Sequence, residues 1–161
     1  MPVRVADLGY RGVVAELSVA SESFRHGDRM PERHALEGEN LSPALTWSDL
    51  PHSTRSIAVI CEDPDAPSGT FVHWVAWGID PGAGGLGEGE PAPSEGRNGF
   101  GKTGYDGPSP PPGHGTHRYL FRVYALDTEP KLDRAASKQE LEAAIEGHVL
   151  ASGEHMGTYE R

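Results

Sequence analysis

Cysteine is almost missing from this 161-residue chain. Cys61 stands alone, so no internal disulfide can form, in keeping with a reducing compartment. Long apolar runs are missing too. No segment approaches the ~20 apolar residues that span a bilayer, and residues 1–20 lack the basic start and apolar stretch of a secretory signal. The expectation is a soluble, cytoplasmic protein with no stable membrane insertion. Basic residues are in short supply, with 14 Lys and Arg against 24 Asp and Glu and a formal net charge of -10. Such a balance repels phosphate backbones and anionic lipid surfaces at long range and argues against nucleic acid as a partner. No Gly-x-Ser-x-Gly elbow occurs, and no Walker or Rossmann glycine loop opens a helix, which leaves serine hydrolase, nucleotidase and dinucleotide chemistry without local support. His114 and His117 are three residues apart, but beside a strand and without a third ligand nearby, so no metal site and no cofactor is expected.

What the sequence does carry is strand periodicity. Val13, Ala15, Leu17 and Val19 alternate with a mixed set, which predicts a first strand from Val13 to Val19. Ser56 to Glu62 has Ile57, Val59 and Cys61 on one face and Ala58 and Ile60 on the other, so both faces should be buried and the strand central, with Asp63 ending it on the Ile57 face. Phe71 to Ile79 is apolar on both faces and rich in β-branched and aromatic residues, a second central strand that contains His73. In the strand from Tyr119 to Leu126, His117, Tyr119, Phe121 and Val123 share one face, while Arg118, Leu120, Arg122 and Tyr124 share the other.

Residues 81–116 hold 12 of the 21 glycines and 7 of the 14 prolines, the composition of a long loop rather than a core element. Ser137 and Glu140 form a capping-box pattern, and Leu141, Ala144 and Ile145 follow at helical spacing as far as Gly147. The chain, at 17.3 kDa, is read as a single domain over residues 1–161. Many strands, one helix and Gly/Pro-rich connections predict a mainly β fold, an antiparallel β-sandwich with a few peripheral helices.

Chemistry-bearing residues concentrate in three places: Asp63-Pro64-Asp65-Ala66-Pro67 with His73-Trp74, then Gly107-Pro108, then His117-Arg118-Tyr119. Pro64 and Pro67 stiffen the first segment, so it can hold a carboxylate in one place. With Asn40 to Trp47, Gly104 to Pro111 and the terminal Gly157-Thr158-Tyr159-Glu160-Arg161, these segments closely resemble the phosphatidylethanolamine-binding protein family, also called Raf kinase inhibitor-like proteins, in its short bacterial and archaeal branch. The resemblance implies a β-sandwich with flanking helices and an anion pocket built from Asp63, His73, Gly107, Pro108, His117 and Tyr119, with Phe71 as an aromatic wall. Asp65 is added to that ligand-binding set from its place in the turn. Imidazolium N–H and phenolic O–H groups donate to phosphoryl oxygens, and a glycine lets backbone N–H groups come close. Asp63 would orient one histidine and raise its pKa. Asn40-Leu41-Ser42 spells a glycosylation acceptor, which without secretion is an accident of the loop.

Each element also has a plainer role. A histidine in an apolar strand is more often a hydrogen-bonded core residue, Asp-Pro-Asp can be an Asx turn closing a strand, and Tyr119 can be core filling. Arg118 faces away from His117 and Tyr119, as an ion-pairing or loop-locking residue would. His26, His34, His52, His148 and His155 are expected on the surface. Taken together, the sequence points to a non-catalytic binding protein for a small phosphate-like or acidic ligand. The resemblance permits a kinase, protease or other signalling partner and implies a homodimer. The alternative is a phosphoesterase or other hydrolase using His117 or His73 with Asp63.

Overall fold

The computed structural model describes residues 15–161, so Val13 of the expected first strand lies outside the described residues. Among these, nine strands and one α-helix follow in chain order: β1 Ala15–Glu16, β2 Ser18–Ala20, β3 Leu45–Ser48, β4 Ser56–Asp63, β5 Phe71–Ile79, β6 Gly85–Leu86, β7 Ser94–Glu95, β8 His117–Leu126, α1 Lys138–Ile145 and β9 Val149–Tyr159. A six-stranded sheet runs β1-β9-β8-β4-β5-β7 and a three-stranded sheet runs β2-β3-β6. Neighbouring strands are antiparallel except β1 beside β9.

Burial on both faces of β4 has a physical source in the layering. Ile57, Val59 and Cys61 pack with Phe121 and Val123 of β8 against Leu45, Trp47 and Leu86 of the small sheet. On the opposite face, Ala58 and Ile60 join Val75 and Tyr124 against Leu141 and Ile145 of α1. The mainly β sandwich thus has a helix on one outer face, and that helix is capped as its sequence predicts: Ser137 accepts from the Glu140 amide, and the Glu140 side chain accepts from the Ser137 amide. Beneath it, the buried Glu62 carboxylate pairs with both Arg122 and Lys138.

Two expectations need correction, and one element is new. The single first strand is two: β1 pairs with β9 and β2 with β3, the chain changing sheets at the buried Leu17. The long final strand β9 was not anticipated, because Gly153 and Gly157 interrupt its pattern. A Cβ at Gly153 would overlap the Leu17 carbonyl and one at Gly157 the Met30 side chain, so both glycines mark close approach inside a strand. Finally, His26, His52 and His148 are exposed, but His34 and His155 are buried, with the His155 ring nitrogen Nε2 donating to the Phe24 carbonyl. Their rings fill core space that solvated residues would not.

Candidate functional site

Asp63 closes β4 one step beyond the Glu62–Leu120 pair of the β4–β8 ladder, beside the start of β8 where His117 and Tyr119 face inward. It is 3% exposed and uses both carboxylate oxygens: Oδ1 accepts from the Asp65 amide at 2.7 Å, and Oδ2 accepts from His117 Nδ1 at 2.6 Å. The Asp-Pro-Asp segment is therefore an Asx turn that also orients an imidazole. On its far side, His117 Nε2 lies 2.7 Å from Nδ1 of the exposed His114, which is flanked by Gly113 and Gly115 at φ 75° and 93°. A chain of carboxylate, buried imidazole and exposed imidazole results.

His73 enters the site through a register slip. Cys61 pairs with Trp74 but Glu62 pairs with Val72, which makes His73 the extra residue of a β-bulge. The bulge turns His73 and Trp74 to the same side, so that the His73 ring stands 5.2 Å from Tyr119 and 5.1 Å from Phe71, centroid to centroid. Its Nδ1 donates to the Asp106 carbonyl at 2.7 Å. A carbonyl only accepts, so Nδ1 carries the proton and Nε2 presents a lone pair. Burial lowers the His73 pKa, opposed by the Asp106 carbonyl and the Asp63 charge. The Tyr119 hydroxyl is buried beside the Asp63 carboxylate without a well-formed hydrogen bond, and burial, then that carboxylate, push its pKa up.

These four side chains form the polar floor of a cavity of about 190 Å³, whose walls include Pro67, Phe71, Phe100, Pro110 and Pro111. Phe100, 39% exposed, stands edge-on to Phe71 at 4.8 Å and closes one side of the mouth.

The remaining expected site residues stand elsewhere. Asp65 points out of the cavity into a bidentate pair with Arg118, at 2.8 and 2.9 Å, which also holds its carboxylate well below the usual range, at about 2. Gly107 and Pro108 do not line the cavity; Ser109, Pro110 and Pro111 do. The Gly107 amide donates to Asn40 Oδ1 at 2.7 Å, and the residue is glycine because a Cβ would overlap the His34 carbonyl. His73 does not supply the imidazolium donor expected of the pocket histidines, since burial lowers its pKa.

Several residues that matter here were not singled out from the sequence. Asp106 is fixed by Asn40 and Asn98, each donating to one carboxylate oxygen at 2.8 Å, and this braces the segment that holds His73. Asn98 also accepts from the Phe100 and Lys102 amides, shaping the turn that presents Phe100. Residues 96–103 have the glycine and lysine spacing of a nucleotide-binding loop, but no helix follows them and their amides are engaged within the fold, those of Gly96 and Gly99 by Val75 and Val72 of β5 and those of Phe100, Gly101 and Lys102 by Asn98. Asn40 carries a local signal, because asparagine tolerates the left-handed conformation it adopts at φ 60°.

The sequence profile described as "Phosphatidylethanolamine-binding protein" matches residues 20–160. This chain belongs to the phosphatidylethanolamine-binding protein family. It is similar to a UPF0098 protein of Pyrococcus horikoshii, 45% identical over 150 residues covering 88% of this chain and 75% of that protein. Among solved structures, a phosphatidylethanolamine-binding protein homologue of Chlamydia trachomatis matches at TM-score 0.85 and 35% identity, covering 91% of this chain and 98% of that one. Escherichia coli YbcL matches at TM-score 0.85 and 32% identity, covering 91% and 99%. In this member of the phosphatidylethanolamine-binding protein family the cavity lies below the range of about 300–1,000 Å³ of pockets that take drug-sized ligands, so it suits a small one.

Proposed function

We propose that this protein is a non-catalytic binding protein that takes a small phosphate-like or acidic group into the cavity over Asp63, His73, His117 and Tyr119. The observation that carries this reading is the hydroxyl of the cavity-lining Tyr119, which is buried beside the Asp63 carboxylate yet makes no well-formed hydrogen bond. A buried donor without an acceptor costs about 1–3 kcal/mol, which a ligand oxygen accepting from it would recover. The apolar collar suits a substituent attached to the polar group. An NMR titration with phosphoethanolamine and inorganic phosphate, following the His73 and His117 imidazole signals, tests it. Saturable shifts at both histidines that vanish in His117→Ala support the reading, and no shifts at millimolar ligand would sink it.

The chain from Asp63 through His117 to His114 is what favours the alternative, a phosphoesterase or other hydrolase. A nucleophile in contact with the base is what it lacks. Ser109 lines the cavity, but both His117 nitrogens are engaged by Asp63 and His114. Turnover of phosphate esters that disappears in His117→Ala would reverse the ranking. We further propose that the pocket recognises a phosphorylated or acidic segment of a kinase, protease or other signalling partner, and that the protein acts in the cytoplasm as a homodimer. Among the described residues no helix is long and apolar enough to cross a membrane. Stoichiometric capture of such a partner from native extract, lost with the pocket variant, and a sedimentation mass twice that of the chain are the expected outcomes.

A further inference from the structure

The hydrogen-bonding capacity left free in the cavity is unequal in kind. His117 has none: Nδ1 serves Asp63 and Nε2 meets His114. Arg118 is spent on Asp65 outside the cavity. The Asp65, Phe100, Lys102 and Gly107 amides donate to Asp63, Asn98, Asn98 and Asn40. The Tyr119 O–H remains as a donor with no well-formed hydrogen bond, the Asp63 carboxylate beside it already accepting from Asp65 and His117, and His73 Nε2 remains as an acceptor, because the Asp106 carbonyl requires the proton to sit on Nδ1. The Ser109 hydroxyl can do either and does not discriminate. The charged group nearest this floor is the Asp63 carboxylate, which repels an incoming dianion at contact distance.

We propose that the pocket takes its phosphate monoester in the singly protonated form, the ligand's P–O–H donating to His73 Nε2 while the Tyr119 O–H donates to a second ligand oxygen. This rests on the anion-pocket reading above and deepens it by naming the protonation state that is selected. The groups facing His73 are consistent with it on every side: Asp63 from β4, Tyr119 and His117 from β8, and Asp106 from the preceding loop, none of which offers a free cationic donor. Burial lowers the His73 pKa and so favours the ring with its lone pair over the imidazolium.

Methyl phosphate and methyl sulfate separate the possibilities in the unmodified protein. A phosphate monoester loses its second proton near pH 6, whereas methyl sulfate keeps one charge and no proton throughout. Methyl phosphate affinity is expected to fall about a hundredfold between pH 5 and pH 8, following its monoanion fraction. At pH 5 methyl sulfate should bind at least about tenfold more weakly, since it cannot donate to His73, and its own pH profile reports titration of the protein. Tyr119→Phe should weaken both ligands about tenfold and leave the pH ratio of methyl phosphate unchanged. Methyl phosphate binding equally well or better at pH 8, or methyl sulfate matching it at pH 5, overturns this selection while leaving the anion pocket standing. Saturable binding of neither ligand at any pH removes the pocket reading itself, and this inference with it.

Discussion

Replacing Asp63 by alanine and by asparagine should have sharply different consequences, although both remove the charge. Asp63 is 3% exposed and His117 2%, so water cannot replace what is lost between them. Alanine leaves the His117 Nδ1–H without an acceptor, at about 2 kcal/mol, and the Asp65 amide without one in a half-buried turn, at about 1 kcal/mol, giving a loss near 3 kcal/mol. Asparagine can repair both contacts. Its oxygen accepts from the Asp65 amide, and its NH2 donates to His117 Nδ1 once the imidazole moves its proton to Nε2. That shift is open because His114 Nδ1, 2.7 Å from Nε2, can accept it. What remains is the loss of charge-assisted strength, about 1 kcal/mol. Urea unfolding of the two variants measures the difference, and 15N chemical shifts of the His117 ring read the tautomer. Equal losses in the two variants, or a His117 ring in Asp63→Asn that still carries its proton on Nδ1, would refute the reasoning.

Four further outcomes follow from the geometry. Gly107→Ala should lower stability by about 3 kcal/mol, seen as a drop in urea midpoint, because its Cβ would overlap the rigid His34 carbonyl; a loss under about 1 kcal/mol would show that the two segments can part. His34, His73 and His155 are all held neutral by burial. Their lowered pKa values contribute stability that is full above the ordinary 6.5 and lost as pH falls below it, so a urea midpoint that stays flat or rises from pH 7 to pH 5 would contradict them. Arg118→Gln should cost only about 0.2–1 kcal/mol, because the pair with Asp65 is solvated. That difference between the two proteins is present above the ordinary carboxylate value of 3.8 and should fade as pH falls towards about 2. His114→Ala leaves His117 Nε2 as a further acceptor while Nδ1 donates to Asp63, so the proton-bearing phosphate monoanion at pH 5 should bind several-fold tighter in an NMR titration; unchanged affinity would show that His114 does not hold that position against a ligand.

Legibility of the fold followed the range of the interactions that made it. β4, β5 and β8 were readable because each buries both faces in a layered core, so that apolar side chains occupy adjacent positions, four or five in a row, instead of alternating. The α1 start was readable because a capping box is a contact between residues three apart. The first strand broke in two because nothing local marks the point where Leu17 hands the chain from one sheet to the other. Asn40, Asn98 and Asp106 escaped for a related reason: the Asn40–Asp106 hydrogen bond joins residues 66 apart, and no spacing rule connects them.

The pocket floor depended on one irregularity. Period two would put His73 on the face of Val75 and Trp77, in the core beneath α1. Its ring instead meets Tyr119 and Phe71 on the sandwich side, because β5 spends one residue more than β4 between Cys61 and Glu62. A single inserted residue thus converts a core histidine into one whose Nε2 faces a cavity, and the Asp106 carbonyl then settles which nitrogen keeps the proton. Asp63 and His117 needed no such device. Both sit on faces that simple alternation predicts, at the end of one strand and the start of its neighbour, and they meet because the β4–β8 register carries them there. Three of the four floor residues are therefore written in periodicity and one, His73, in a departure from it, and the departure supplies the acceptor on which the proposed choice of ligand protonation state turns.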